Sequence, residues 1–168
     1  VAYKRAINAV SNPDEYDINM LATPGIIHKH HSIVTNHAID KVEARADAFY
    51  VMDSSDAADN VSTAVSNISN LDTNYVATYY PWVVMDDPSK SSGTVLVPPS
   101  VVIPGVIAFT DSVSHEWFAP AGLNRGGLSN VRRTRKKLTH TDRDQLYEGR
   151  VNPIASFPGQ GVVVFGQK

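Results

Sequence analysis

The chain has 168 residues, 42% hydrophobic and 19% charged, which suits a folded domain with a core of its own. Its formal net charge of −2 gives no general attraction to nucleic acid or to an anionic membrane, and no run approaches the ~20 apolar residues that cross a bilayer. It contains no cysteine, which excludes disulfides, thiolate zinc sites and a cysteine nucleophile.

Ala2, Ala6, Ile7 and Val10 recur at helical spacing, and Asn12-Pro13-Asp14 ends that helix, because the residue before a proline avoids the α region. Ile18 to Gly25 reads as a short strand stopped by Pro24-Gly25. His31 to Ala48 predicts a second helix. Its inner face would carry Ile33, Val34, His37, Ala38, Val42 and Ala46, with Asp40, Lys41, Glu43 and Arg45 outside. Ala48 to Asp53 is an apolar strand ending in an acid. Asp56 is placed to cap a helix from Ala57 to Ile68. Asn74 to Asp86 is one long β-rich segment. The order βαβαβ implies parallel strands flanked by helices.

Asp86 to Gly93 is a polar turn and Thr94 to Val97 returns as a strand, so a hairpin is expected. Pro98-Pro99 permits a helix start, and residues 100–113 are apolar around Pro104-Gly105. Ala119 to Gly127 is a loop. Arg132-Arg133-Thr134-Arg135-Lys136-Lys137 is a basic run and reads as a solvated loop or a contact for an acidic protein. Thr141 to Gly149 is a short capped helix. Val151 to Phe157 and Gly161 to Phe165 are strands around Pro158-Gly159-Gln160-Gly161. The fold class is therefore expected to be α/β: a mixed sheet with a parallel βαβαβ portion flanked by helices, and a C-terminal β-hairpin, in a single domain over residues 1–168.

Each motif that suggests chemistry lacks a necessary part. FPGQG at residues 157–161 opens malonyl-type acyltransferases, but no Gly-x-Ser-x-Gly elbow occurs anywhere in the chain. A phosphate loop would need a Lys-Ser/Thr pair opening a helix, whereas Val162-Val163-Val164 favours a strand. FPGQG therefore reads as a turn. Asp53-Ser54-Ser55-Asp56-Ala57 resembles the Asp-x-Ser-x-Ser magnesium site of von Willebrand A-like domains, with Ala57 where an oxygen ligand belongs. Asp53, Asp56 and Asp59 lack the spacing and the glycine of an EF-hand. His28, His30, His31 and His37 contain no His-Glu-x-x-His, so they read as helix-start and surface residues. The basic run has no interleaved aromatic residue for base stacking, and Asp142, Asp144 and Glu148 offset its field. His115-Glu116 could do acid–base work, but no serine elbow accompanies it. No enzyme activity, metal or cofactor is expected.

Three stretches carry a family resemblance: Val97-Pro98-Pro99-Ser100 through Ala108 to Asp111; Trp117-Phe118-Ala119-Pro120-Ala121-Gly122 to Gly127; and Leu138 through Leu146-Tyr147 and Val151-Asn152-Pro153-Ile154 to the Phe157 turn and Gly166. In this order and spacing the chain resembles the contractile-tail sheath proteins of tailed bacteriophages. The strands ending near Gly25 and at Asp53 fit the earlier part of that pattern. Phe165 stands where many members have tryptophan, and both fill a core. The resemblance implies a structural subunit, not a catalyst. Family members form stacked six-fold rings around a tail tube, then shorten and widen to drive the tube through the host envelope during genome ejection. Other copies, the tube, baseplate and tail terminator proteins are the implied partners, with no nucleic acid or membrane. The implied location is the virion tail, assembled in the host cytoplasm. The chain is expected to be a middle piece without the N- and C-terminal linking arms, and to be monomeric alone.

The expected subunit contacts are charged. Arg132, Arg133, Arg135, Lys136 and Lys137 want an acidic partner, and Asp86-Asp87 and the Asp53, Asp56, Asp59 edge are the candidate acids. The alternative function is a von Willebrand A-like metal-dependent binding module at Asp53; an α/β hydrolase remnant is a third reading.

Overall fold

In this computed structural model residues 1–90 and 93–168 are described. In chain order the elements are α1 (Ala2–Ala9), β1 (Met20–Ile27), α2 (His28–Arg45), β2 (Phe49–Asp53), α3 (Val61–Ser66), β3 (Val76–Tyr80), β4 (Val83–Asp86) and β5 (Thr94–Val97). A 3-10 turn at Pro99–Val101 follows, then α4 (Ile103–Val113), β6 (Val131–Thr134), α5 (His140–Glu148), β7 (Asn152–Phe157) and β8 (Gly161–Val164). A five-stranded sheet has the order β1-β2-β3-β7-β8, and a three-stranded sheet the order β5-β4-β6. Strands β1, β2, β3 and β7 run parallel, and β8 returns antiparallel to β7. The α/β class, the parallel βαβαβ portion and the C-terminal hairpin are as the sequence implies.

Parallel strands are covered on both faces, and the side-chain alternation of β2 shows it. Tyr50 and Met52 pack with Ala38 and Val42 of α2, Ala64 of α3 and Leu146 of α5. Val51 points the other way, into a cluster with Ile103 and Val106 of α4, Ile154 of β7 and Val162 of β8. Each fully buried Val, Leu, Ile or Met side chain among these contributes about 1.5–3 kcal/mol relative to exposure.

Several boundaries differ from those expected. Strand β1 runs through Pro24-Gly25: Gly25 takes φ +83, the register with β2 shifts between Ala22 and Ile27, and the pair is an irregularity inside the strand, not its end. Helix α2 starts at His28 and has non-helical angles at His31. Beyond that kink its buried stripe is Thr35, Ala38, Ile39, Val42 and Arg45, while Ile33 is 73% exposed. The inner face is thus rotated, and Arg45 belongs to it. Helix α3 is capped by Asn60, whose side chain accepts from the Thr63 amide, and not by Asp56. The β-rich segment divides at Pro81, where the chain leaves the large sheet for the small one.

The basic run is partly strand. Val131 and Thr134 are buried, and β6 pairs antiparallel with β4 through Val83↔Thr134 and Val84↔Arg133. A register shift at Val84/Met85 lets the successive Arg132 and Arg133 both lie exposed. A solvated loop is therefore the wrong description for its first half. FPGQG is the β7–β8 turn. Gly159 and Gly161 take φ +76 and +80, which only glycine adopts without strain. The outer edge of β8 is closed by the segment before β6: Gly122 donates to Val164 at 2.8 Å, Val164 to Gly126 at 2.7 Å and Leu128 to Val162 at 2.9 Å.

Candidate functional site

Asp53, the acid at the end of β2, is interior. It is 2% exposed, and its two oxygens accept from the Ser100 amide at 3.1 Å and the Ser100 hydroxyl at 2.6 Å. Burial pushes its carboxyl above the ordinary value, against the pull of those hydrogen bonds. It anchors the turn that leads into α4. The two residues after it are also engaged. Ser54 Oγ accepts from Thr78 Oγ1 at 2.7 Å, and the Ser55 carbonyl accepts from the Trp82 indole at 2.8 Å. Ala57 offers no side-chain oxygen. Among the described residues no group of three or more His, Asp or Glu side chains could hold a metal ion. The von Willebrand A-like reading is therefore corrected: the Asp53 segment is a structural joint between β2, β3 and α4.

Asp56 and Asp59 sit at the surface but have partners in their own chain. Lys29 Nζ lies 2.6 Å from Asp59 and 3.7 Å from Asp56, and His30 Nε2 lies 2.5 Å from Asp56. The Asp56 amide donates to Asp59 at 2.9 Å. Burial alone would raise the Asp59 carboxyl; the Lys29 ammonium and the Asp56 amide outweigh it and hold it below the ordinary range. The contact to Asp59 in turn raises Lys29. The other histidines go elsewhere: His28 Nδ1 to Thr35 Oγ1 at 2.7 Å, and His37 Nε2 to Asn8 Oδ1 at 2.8 Å. Partial burial lowers His28.

Asp86 is paired with Arg132 across the β4–β6 ladder. Asp87 holds its own turn, accepting from the Ser89 amide at 2.9 Å and hydroxyl at 2.6 Å, with Lys90 at 3.4 Å. Hydrogen bonds from Ser89 hold the Asp87 carboxyl below its ordinary value. Of the basic run, Arg133, Arg135, Lys136 and Lys137 are exposed and make no ion pair among the described residues. The proposed acids and the proposed bases thus meet within the chain only at Asp86–Arg132.

His115 does not face a nucleophile. Its ring stacks on Trp117 at 5.5 Å, Trp117 stacks on Phe118 at 4.3 Å, and the Arg125 guanidinium lies 4.2 Å over the Phe118 ring. This is a surface aromatic stack, with Trp117 75% exposed. A groove of about 730 Å³ runs between α4 and the β6–β8 side, lined by Val102, Gly105, Phe109, Leu128 and Val162 among others. No carboxylate, imidazole or amine lines it.

The sequence reading missed Arg45. Its guanidinium, almost fully buried, donates to the Val10 carbonyl at 2.7 Å, the Tyr16 carbonyl at 2.8 Å and both Asp47 oxygens at 2.8 Å. It thereby fixes the loop between α1 and β1. That loop holds Asp14, Glu15 and Asp17, all exposed and without an ion pair among the described residues. Three acids in four positions beside a proline turn were a visible signal, but no partner was assigned to them.

A family model described as the phage tail sheath protein central domain matches residues 2–168. The chain belongs to that family. The resemblance carried by the Pro-Pro-Ser, Trp-Phe-Ala-Pro-Ala-Gly and Asn-Pro-Ile stretches is confirmed. The tail sheath protein of Vibrio phage KVP40 is 44% identical over 72 residues, which is 43% of this chain and 11% of that protein. The tail sheath protein of Enterobacteria phage T4 is 40% identical over a stretch of the same length and shares. The match therefore takes in about a tenth of each curated relative. Among solved structures, a chain of the anti-feeding prophage baseplate is 26% identical with a TM-score of 0.69, covering 92% of this chain and 39% of that one. A chain of the anti-feeding prophage helical sheath in the contracted state is 27% identical with a TM-score of 0.62, covering 92% and 40%. The PVC sheath complex of an extracellular contractile injection system, also contracted, shares the fold at 22% identity, with a TM-score of 0.73 over 96% of this chain and 43% of that one.

Proposed function

We propose that this chain is the central portion of a contractile tail sheath subunit, with residues 1–168 as one core unit. The full subunit polymerises as stacked hexameric rings around a tail tube and contracts to drive the tube through the host envelope during genome ejection. The observation that carries this is the family match over residues 2–168, joined to the likeness with a sheath in its contracted state over 92% of the chain. The partners are other copies first, then the tube, baseplate and tail terminator proteins. The place of action is the virion tail, with assembly in the host cytoplasm, and the chain alone is monomeric.

The interior supports a mechanical role. Buried side-chain polar atoms among the described residues all have hydrogen-bond partners; Asp53 is held by Ser100 and His115 is stacked on Trp117. Force would pass through contacts between copies. A few kcal/mol per contact, the usual scale of a bistable interface, becomes large when multiplied over a lattice. The core would move as a rigid body while charged rims, Arg132 to Lys137 among them, exchange neighbours.

The test is to express the full-length protein that contains this chain and examine it by negative-stain electron microscopy. Regular tubes of stacked rings are expected. A full-length protein that stays dispersed under every sheath-assembly condition overturns the reading.

A further inference from the structure

We infer that the basic run on and after β6 docks against the acidic α1–β1 loop of a second copy, so that copies join head to tail. The inference rests on the sheath reading above and names the surfaces of that association.

The acids first expected to meet the run are accounted for within the chain. Asp53 is interior, Asp56 and Asp59 hold Lys29 and His30, Asp86 already holds Arg132, and Asp87 holds its turn. The exposed bases Arg133, Arg135, Lys136 and Lys137 remain. Lys136 lies near Asp142, whose carboxyl is held down mainly by the Thr139 amide. Asp14, Glu15 and Asp17 are exposed at the surface and make no ion pair among the described residues.

These two patches lie at opposite ends of the parallel strands. The acidic loop feeds the start of β1 and is tied to the start of β2, where the Phe49 amide donates to the Asn19 carbonyl at 3.0 Å. The basic run adjoins the far end of β3, where the Arg135 amide donates to the Trp82 carbonyl at 2.7 Å. Five-residue strands at ~3.3 Å per residue separate the two by on the order of 15 Å along the strand direction alone. At physiological salt exposed charges are screened beyond about 8 Å. The patches therefore cannot neutralise each other within one chain, and a second copy is the partner that satisfies both.

The acidic loop is also held in shape for contact. Arg45 binds the carbonyls of Val10 and Tyr16, the Asn12 side chain accepts from the Asp14 amide at 3.1 Å, and the Tyr16 amide donates to Asn12 at 3.1 Å. A pre-ordered loop loses less entropy on docking. Tyr16, 43% exposed amid the acids, offers a ring of the kind enriched in interface centres. Unlike patches at opposite ends make a heterologous contact, which propagates into rings or helical arrays and does not stop at a dimer.

The test uses the full-length protein in two charge-reversed forms. One carries Arg133→Glu, Arg135→Glu and Lys136→Glu, so both ends are acidic; the other carries Asp14→Lys, Glu15→Lys and Asp17→Lys, so both ends are basic. Each alone is expected to lose at least ~10-fold in sedimentable tubes at low salt, the factor of a 1.4 kcal/mol change. An equimolar mixture is expected to recover assembly, because the two forms can alternate. Thermal melts check that each form is folded. Should a reversed form melt early, Arg133→Gln, Arg135→Gln and Lys136→Gln serve instead; the expected result is an assembly yield no longer reduced by added salt, and an unchanged salt dependence overturns the inference. Wild type that assembles together with reversed forms that assemble equally well, or a mixture that fails to recover, overturns the pairing. Wild type that never forms tubes overturns the sheath reading itself.

Discussion

Arg45 and the run from Arg133 to Lys137 are both basic, yet the chain treats them oppositely. Arg45 is 7% exposed and donates to two backbone carbonyls and one carboxylate. The basic run lies at the surface and, among the described residues, pairs only through Arg132 with Asp86. The same contrast holds for the acids: Asp53 is saturated by Ser100, whereas Asp14, Glu15 and Asp17 face water. Charges inside hold elements in register. Charges outside either pair locally, as Arg132 does with Asp86, or face water, as Arg133 and Asp14 do.

The comparison can be broken at its interior end first. Arg45→Ala leaves the Val10 and Tyr16 carbonyls without their donor and frees the α1–β1 loop, and should lower the unfolding free energy by about 3 kcal/mol. Denaturant titration by circular dichroism measures it; a loss under about 1 kcal/mol would mean the guanidinium is not holding that loop. Gly126→Ala comes next. A Cβ there would lie 2.5 Å from the Val164 carbonyl oxygen, so the loop that closes β8 must shift, at about 2 kcal/mol in the same assay. A neutral outcome would show that this closure is slack.

Asp53 sharpens the comparison through pH. Its folded carboxyl is raised by burial above the ordinary 3.8, so its contribution is full below that value and is lost as the pH climbs through the folded value. The stability margin of wild type over Asp53→Asn should therefore shrink as the pH rises above the ordinary carboxyl value of 3.8. A margin that grows over that range would mean the ionised form is favoured inside. The smallest expected effect is at the surface. Arg133→Glu with Lys136→Glu should change the stability of the fold by no more than about 0.5 kcal/mol while changing assembly strongly. A large loss of fold stability would place these residues in the first class and remove the contrast.

The parallel core was legible because its strands are short apolar runs between helical patterns, and β2 at Phe49–Asp53 is the clearest case. The FPGQG turn was legible from its two glycines and the valines after it. Other features depend on tertiary contacts that spacing cannot convey. The inner face of α2 is the stripe Thr35, Ala38, Ile39, Val42 and Arg45, which leaves Ile33 outside and Arg45 inside. Arg45 alone among polar residues reads as surface; its acceptors, Val10 and Tyr16, are about thirty positions away in sequence. Arg132 and Arg133 read as loop because two adjacent arginines break strand alternation, and the irregularity opposite them on β4 is invisible in their own segment. Asp53 was placed correctly at a strand end, yet its burial follows from Ser100, 47 positions later.

Cryo-electron microscopy of the assembled full-length protein, in extended and contracted lattices, reaches the central point most directly. The strands β1, β2, β3, β7 and β8 should superpose between the two states within ~1 Å, as pre-organised partners do, while the neighbours of the 132–137 run and the 14–17 loop change. A sheet that deforms between the states, or charged patches that face solvent in both, would contradict a rigid unit working through its contacts.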